Sequence, residues 1–342
     1  MQKLNKVAGC LIGGAAGDAL GYPIEFESIS SIERKYGDYG VTSYDQFTHG
    51  TAVVSDDTQM TMYTANGLIN CLIKEGSKRK ISVETWCKYV HEAYKEWYRT
   101  QTEKFKEDKY NCWITHDNSL WVNRAPGNTC LSALKDDTPR SIEEPLNNSK
   151  GCGGIMRVAP VGIVCNIQHL DVDEAYILGT EVGAITHGNI DGYVPAGILS
   201  VIVYKLLQDN CSILKAVEES IRISEILDNN TKTLNLVKQA VDLACNSSHK
   251  SITDIEKLGY GWTGDEAIAI SIYCALRYSD DFEKALVISV NHSGDSDSTG
   301  AITGNILGTR IGLSNIPSKF VENLEFTDKL KRLADIMCAY NQ

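Results

Sequence analysis

Two short acidic clusters hold the residue types most capable of chemistry in this chain: Ser55-Asp56-Asp57-Thr58 and Gly294-Asp295-Ser296-Asp297-Ser298-Thr299-Gly300. Each precedes a run with helical periodicity, so each is expected to open a helix. For the first cluster alone, capping is the plain explanation. Ser and Asp are favoured N-caps, and negative charge suits the positive end of a helix dipole. The second cluster holds more than a cap needs. One acceptor caps a helix, whereas Asp295, Asp297, Ser298 and Thr299 all bring side-chain oxygens. Crowded carboxylates repel one another and retain their protons unless a cation neutralises them. A set of carboxylates and hydroxyls is the donor chemistry that Mg²⁺, Mn²⁺ or Ca²⁺ prefers. The spacing is not that of an EF-hand, whose closing Glu is absent here. The two clusters form one site only if the two helix starts converge. Glu25 is a third acidic candidate, and taken alone it reads as a solvated loop carboxylate.

Glycine-rich segments offer a second kind of chemistry. Gly151-Cys152-Gly153-Gly154 lets backbone N–H groups approach a phosphate ahead of a helix start. It matches neither the P-loop nor the dinucleotide fingerprint, and a tight turn before a buried helix explains it equally well. Gly259-Tyr260-Gly261-Trp262-Thr263-Gly264 combines glycines with aromatics. Tyr260 and Trp262 either stack on a base or sugar or anchor the loop onto the core. His187 is expected to end a helix, where the dipole favours an imidazolium able to donate to a phosphate or ribose. Simple capping accounts for it as well.

The elements that must position these groups are helical. Period-3.6 patterning marks helices over Leu4–Leu20, Ser55–Lys74, Val83–Tyr98, Asp173–Thr186, Pro195–Gln208, Ile213–Leu227, Thr233–Cys245, Asp265–Arg277, Phe282–Val290, Ser298–Ile311 and Phe326–Tyr340. Only Val41–Tyr44 and Ile163–Ile167 resemble strands, so the fold class is all-α. Pro195 is expected in the first turn of its helix and Gly76 at a helix end. The helix before Gly21 is crowded with small residues and suited to unusually close packing. Three long connections, over 21–54, 100–154 and 247–263, are the expected loops of a site. No linker or repeat interrupts the 342 residues, which are read as one domain over 1–342.

Bulk properties narrow the function. Hydrophobic residues make up 43% and charged residues 23%, as in ordinary globular proteins. A formal net charge of −11 argues against nucleic-acid binding by a basic face. It also disfavours an anionic ligand unless something local, such as a metal ion, reverses the field. The 11 cysteines show no C-x-x-C pair or zinc-finger spacing and read as reduced, mostly core residues of a cytoplasmic protein. The sequence is read as lacking an apolar run of the ~18 residues that span a membrane.

Taken in order, the motifs resemble those of the ADP-ribosylglycohydrolase family over roughly positions 4 to 312. They are Gly9 to Gly21 with Glu25, Val54-Ser55-Asp56-Asp57-Thr58-Gln59-Met60, Gly151 to Arg157, Thr186-His187, Gly261 to Ala267, and His292 to Gly300. The resemblance implies a compact helical fold and a binuclear Mg²⁺ or Mn²⁺ centre. Its ligand positions would be Ser55, Asp56, Asp57, Asp295, Asp297 and Ser298. Glu25, Asp56 and Asp297 would be the catalytic positions. Gly127, Asn128 and Thr129, Gly151 to Gly154, His187, Tyr260, Trp262 and Gly264 would line the ADP-ribose. The implied reaction is hydrolysis of ADP-ribose from a modified protein side chain, with ADP-ribose as product; separately from the resemblance, the chain is read as a monomer. The acidic motifs look more like the arginine-directed branch than the serine-directed one. Alternatives are a two-metal nucleotide phosphohydrolase and a non-catalytic, crystallin-like ADP-ribose binder.

Overall fold

The computed structural model describes residues 2–45, 47–48, 50–76 and 80–340. Among the described residues, the chain forms fifteen α-helices. These are α1 (Gln2–Gly21), α2 (Ile29–Tyr36), α3 (Asp56–Glu75), α4 (Val83–Thr102), α5 (Asn128–Ala133), α6 (Ala159–Ile167), α7 (Val172–Ala184), α8 (Ile190–Leu206), α9 (Ile213–Leu227), α10 (Thr231–Asn246), α11 (Ser251–Leu258), α12 (Gly264–Arg277), α13 (Phe282–Val290), α14 (Ser296–Ile311) and α15 (Thr327–Ala339). The one sheet among these residues is a two-residue antiparallel pairing of β1 (Phe47–Thr48) with β2 (Thr51–Ala52).

The contact that organises the site is the pairing of α1 with α14. Gly9, Gly13 and Gly17 of α1 face Gly308, Gly304 and Gly300 of α14 so closely that a Cβ at any of them would collide with backbone across the interface. The two backbones touch because both helices repeat glycine every fourth residue, which places all of them on one face. The stripe ends where Gly21 meets the backbone of Ser296 and Asp297. The exit of α1 is therefore delivered to the acidic start of α14. The segment Gln2–Ile24 is long and apolar enough to cross a membrane by length and composition, contrary to the sequence expectation, yet 89% of its apolar window is buried within this fold.

A continuous hydrophobic cluster gathers buried side chains from Val7 to Met337. Several expectations are corrected here. Residues 163–167 are helical, inside α6, all of whose residues are buried; a run apolar on every side carries no period to tell helix from strand. Val41–Tyr44 is not a strand, and Val41 is instead held by its N–H to Asn291 Oδ1 at 2.7 Å. Pro195 lies inside α8 rather than in its first turn, because α8 begins at Ile190 with Asn189 as its cap. The long connections contain α2, α5 and α11 as well as irregular backbone. Gly76 does end α3, with its N–H on the Leu72 carbonyl. No disulfide joins the cysteines, six of which are buried.

Candidate metal centre

The first acidic cluster is fixed by a residue that sequence reasoning passed over. Asp18 lies in the apolar stretch of α1 and is fully buried. Its carboxylate accepts from the Ser55 N–H at 2.9 Å, the Thr58 N–H at 3.0 Å and the Thr58 hydroxyl. One carboxylate thus binds donors left unpaired at the start of α3. Burial pushes Asp18 up to about 6, and the hydrogen bonds hold it lower than burial alone would. The signal was present: a lone carboxylate in an apolar helix must find donors, because an unpaired one is costly. From the other side, the Asp56 N–H reaches the Arg124 carbonyl at 3.1 Å. Glu325 accepts from both the Val54 N–H at 3.1 Å and the Arg124 guanidinium at 2.8 Å. Ser55 is the N-cap, accepting from the Asp57 N–H at 3.1 Å.

The second cluster opens α14 with Asp295 as N-cap. Asp295 and Asp297 both accept from the Ser298 N–H, at 3.1 and 2.9 Å. Gly294 has φ +132° and turns directly beneath Tyr260, whose carbonyl accepts the Asp295 N–H at 2.9 Å. The Thr299 hydroxyl is committed to the Ser289 carbonyl and His292, at 2.7 and 2.9 Å, and so stands apart from the acidic face.

These segments converge. Single carboxylate oxygens of Glu25, Asp295 and Asp297 lie within 4.8 Å of one another. Glu25 is partly buried rather than a solvated loop carboxylate. Burial first, then Asp295, Asp56 and Asp18, push it up to about 8. Asp56 is raised to about 8 by burial first, with Asp18 and Asp295 adding to the rise and the Gly127 N–H at 3.4 Å easing it. Asp57 is raised by burial and by Asp18, Asp56 and Asp295, and Asp297 by burial and by Asp57, Asp295 and Glu25. One oxygen of Asp57 is buried without any hydrogen-bond partner. Crowded oxygen donors with an orphaned carboxylate oxygen fit a hard cation, and the cluster could hold a metal ion.

The glycine-rich loops adjoin this centre. The Cys152 thiol donates to Asp295 Oδ2 at 2.6 Å, and the Cys152 N–H donates to the Trp262 carbonyl at 3.2 Å. The Gly264 N–H donates to the Lys150 carbonyl at 2.9 Å. A Cβ on Gly264 would sit 2.8 Å from the Asp191 carbonyl, which Pro195 leaves without its helical donor. Gly127 precedes Asn128, the first residue of α5, and Thr129 shares a 3.1 Å hydrogen bond with Ser149 at the entry to the Gly151 loop.

His187 departs from expectation. It follows α7 but is buried, and burial together with the Arg157 charge pulls it down to about 3, so it is a neutral imidazole rather than an imidazolium. Gly151, Gly153 and Gly154 all pack against its ring. Tyr260 and Trp262 are exposed, at 54% and 38%, so they do not anchor their loop in the core. Phe26, next to Glu25 and not anticipated, stacks on Trp262 with centroids 5.0 Å apart while remaining 71% exposed.

The model of the family described as ADP-ribosylglycohydrolase matches residues 1–342. The chain belongs to the ADP-ribosylglycohydrolase family. It is 23% identical to the ADP-ribosyl-[dinitrogen reductase] glycohydrolase of Rhodospirillum rubrum, over 98% of this chain and 96% of that one. It is 21% identical to ADP-ribosylhydrolase ARH3 of Mus musculus, over 97% and 91%. A solved ADP-ribosylglycohydrolase-related protein complex includes a chain of the same fold, with TM-score 0.66, 19% identity and coverage of 100% and 99%. As a member of the family, this chain is a hydrolase of the class acting on N-glycosyl compounds.

Proposed function

We propose that the protein hydrolyses the bond joining ADP-ribose to a modified protein side chain, arginine first, at a centre of two Mg²⁺ or Mn²⁺ ions. The observation that carries this reading is the convergence of Glu25, Asp56, Asp57, Asp295 and Asp297 from three chain segments, with an orphaned oxygen on Asp57. Ser55, Asp56, Asp57, Asp295, Asp297 and Ser298 would hold the ions. Bound there, divalent cations would supply charge neutralisation and Lewis acidity toward a ribose hydroxyl or water.

The side chains have separate tasks. Glu25 sits at the edge of the acidic group with its proton affinity raised, which suits a carboxyl that holds and moves a proton at the anomeric centre. The surrounding negative charge favours a transition state with oxocarbenium character. The loop from Gly151 to Gly154, bare of side chains at its glycines, faces the diphosphate, while its Gly151 and Cys152 N–H groups are already donated to Ser149 and to the Trp262 carbonyl. His187, Gly264 and the loop from Gly127 to Thr129 enclose the riboses. The exposed rings of Phe26, Tyr260 and Trp262 provide flat surfaces for adenine or for the acceptor. An acidic wall beside exposed aromatics suits a guanidinium better than a neutral hydroxyl, through charge and cation–π attraction.

The test is release of free ADP-ribose from ADP-ribosyl-arginine and ADP-ribosyl-serine peptides, with EDTA or with added Mg²⁺ or Mn²⁺. Metal-dependent release, faster from the arginine peptide, is expected. Faster release from the serine peptide overturns the acceptor assignment. Binding of ADP-ribose without release from either peptide overturns the hydrolytic one.

A further inference from the structure

We propose that Arg157 is a positioning residue that acts through Thr186 to set which nitrogen of His187 carries the proton, presenting an Nε2–H to the Gly151–Gly154 loop. The proposal rests on the reading above only for the identity of the anion held by that loop.

Arg157 is fully buried. A buried guanidinium normally pairs with a carboxylate, yet every hydrogen bond of Arg157 ends on a neutral acceptor. Its Nε donates to the Tyr94 hydroxyl at 2.9 Å. Its Nη1 donates to the Gly153 carbonyl, to Cys130 Sγ at 3.2 Å and to Met60 Sδ at 3.6 Å. Its Nη2 donates to Thr186 Oγ1 at 2.6 Å, and the Tyr94 ring packs 4.6 Å from the guanidinium carbon. The position is over-determined by five groups from five chain segments. Such a fixture costs desolvation and returns geometry.

Two of those bonds reach the site. The bond to Gly153 holds the glycine-rich loop directly. The bond to Thr186 acts one step away. Thr186 Oγ1 lies 2.8 Å from His187 Nδ1. A guanidinium has no lone pair to offer, so the threonine oxygen can only accept from Arg157. That charge-assisted bond polarises the hydroxyl and strengthens it as a donor. Its hydrogen has two acceptors within reach, imidazole Nδ1 and the Cys130 sulfur, and a thiol is the weaker acceptor. The hydroxyl therefore donates to Nδ1. A neutral imidazole with an accepting Nδ1 carries its proton on Nε2.

Nε2 is the atom that meets the loop. Ideal Cβ positions on Gly151 and Gly153 both fall 3.3 Å from it. The absence of side chains there leaves Nε2–H facing the bare glycine surface of the loop. The opposite tautomer would turn a lone pair toward the same surface and repel an anion. Arg157 thus contributes twice to an anion site in a protein of net charge −11: through its own charge and through the proton it directs.

The test reads the tautomer of His187 by ¹⁵N–¹H correlation NMR on the full chain, alongside binding of ADP-ribose by calorimetry. The wild type is expected to carry its proton on Nε2. Thr186→Val removes the donor at nearly constant volume. It is expected to shift the tautomer population toward Nδ1–H and weaken ADP-ribose binding about tenfold, the cost of one charge-assisted hydrogen bond. Thr186→Ser is expected to restore both. Arg157→Lys, which keeps charge but loses the fork, is expected to move both in the direction of Thr186→Val. If that variant does not fold, the two Thr186 variants still decide the matter. A wild-type Nδ1–H tautomer overturns the proposal, and so does a Thr186→Val tautomer equal to wild type. A tautomer that shifts as expected in a protein that binds no ADP-ribose upholds the relay and overturns the assignment of the anion.

Discussion

On one side of the site, Glu25, Asp56, Asp57 and Asp297 are crowded until ionisation is disfavoured, and an oxygen of Asp57 is left without a partner. On the other, Arg157 is a buried cation none of whose hydrogen bonds ends on a carboxylate. The two regions nearly touch, because Cys152 of the glycine-rich loop donates to Asp295 of the acidic cluster. Folding economy would pair these charges with each other, as Arg124 and Glu325 are paired nearby. Keeping them apart leaves an acidic half that lacks cations and a basic half that lacks an anion. On the proposed reading, a divalent metal would complete the first and a diphosphate the second, and the difference between the halves would describe a ligand that neither half could hold alone.

The largest way to break this comparison is to discharge the acidic half. Asp297→Asn is expected to lower turnover roughly 10³-fold, the upper range for removing one electrostatic contributor from a catalytic site, while the fold persists. The same substitution removes a repelling charge, so the metal-free melting temperature should hold or rise. Both are read by ADP-ribose release across a Mg²⁺ titration and by thermal denaturation. Turnover retained at saturating Mg²⁺ removes Asp297 from the ligand set.

A narrower cut separates charge from proton handling. Glu25→Gln keeps size and hydrogen-bonding capacity but cannot transfer a proton. It is expected to lower kcat about 10²-fold with a much smaller change in ADP-ribose affinity, measured by calorimetry. An unchanged kcat removes Glu25 from catalysis.

The unequal legibility of the two halves in the sequence has a physical reason. The acidic half is written in contiguous motifs, Ser55 to Thr58 and Gly294 to Gly300, because each sits in one helix start. The convergence of those starts was also encoded, since Gly9, Gly13, Gly17 and Gly21 repeat at the spacing of Gly300, Gly304, Gly308 and Gly312. Matching small-residue faces on two helices are a pairing signal. The basic half resisted reading because its properties are made by burial. His187 reads as an imidazolium at a helix end until its enclosure and its neighbour Arg157 are seen. Burial also hid Asp18, on the acidic side, whose role shows only once its donors on α3 appear. Short α5 and α11, and α6 with its apolar residues on every side, carry too little period to declare themselves.

The aromatic rim sharpens the comparison at smaller scale. Trp262 is joined through its carbonyl to Cys152, and Tyr260 through its carbonyl to Asp295, so each half supports one ring. Trp262→Ala and Tyr260→Ala are each expected to weaken ADP-ribose binding by about 1–3 kcal/mol, as for loss of an aromatic stacking surface. Calorimetry checks this, and wild-type affinity in both variants makes the loop purely structural.

The smallest effect is a pH dependence of stability that only the metal-free protein should show. Glu25 and Asp56 are raised to about 8 in the folded state, well above their unfolded values. The native state therefore binds more protons than the unfolded state between about pH 4 and 8, and stability is lost as pH rises through that interval. Buried His91 and His187 act in the opposite sense, with folded values lowered to about 4 and 3. Their contribution is half complete at about pH 6.5, the midpoint of unfolded histidine, and largely complete by about pH 7. Buried thiols such as Cys10, Cys165 and Cys274 are raised as well and enter only as unfolded cysteine ionises toward about pH 8.5, so the window from about pH 7 to 8 is dominated by the carboxylates. In EDTA, the melting temperature should fall by a few degrees across it, and saturating Mg²⁺ or Mn²⁺ should flatten the slope, because a bound cation stabilises the ionised cluster. A metal-free melting temperature that is level over this window would show that the acidic half is not under the charge strain on which the whole comparison depends.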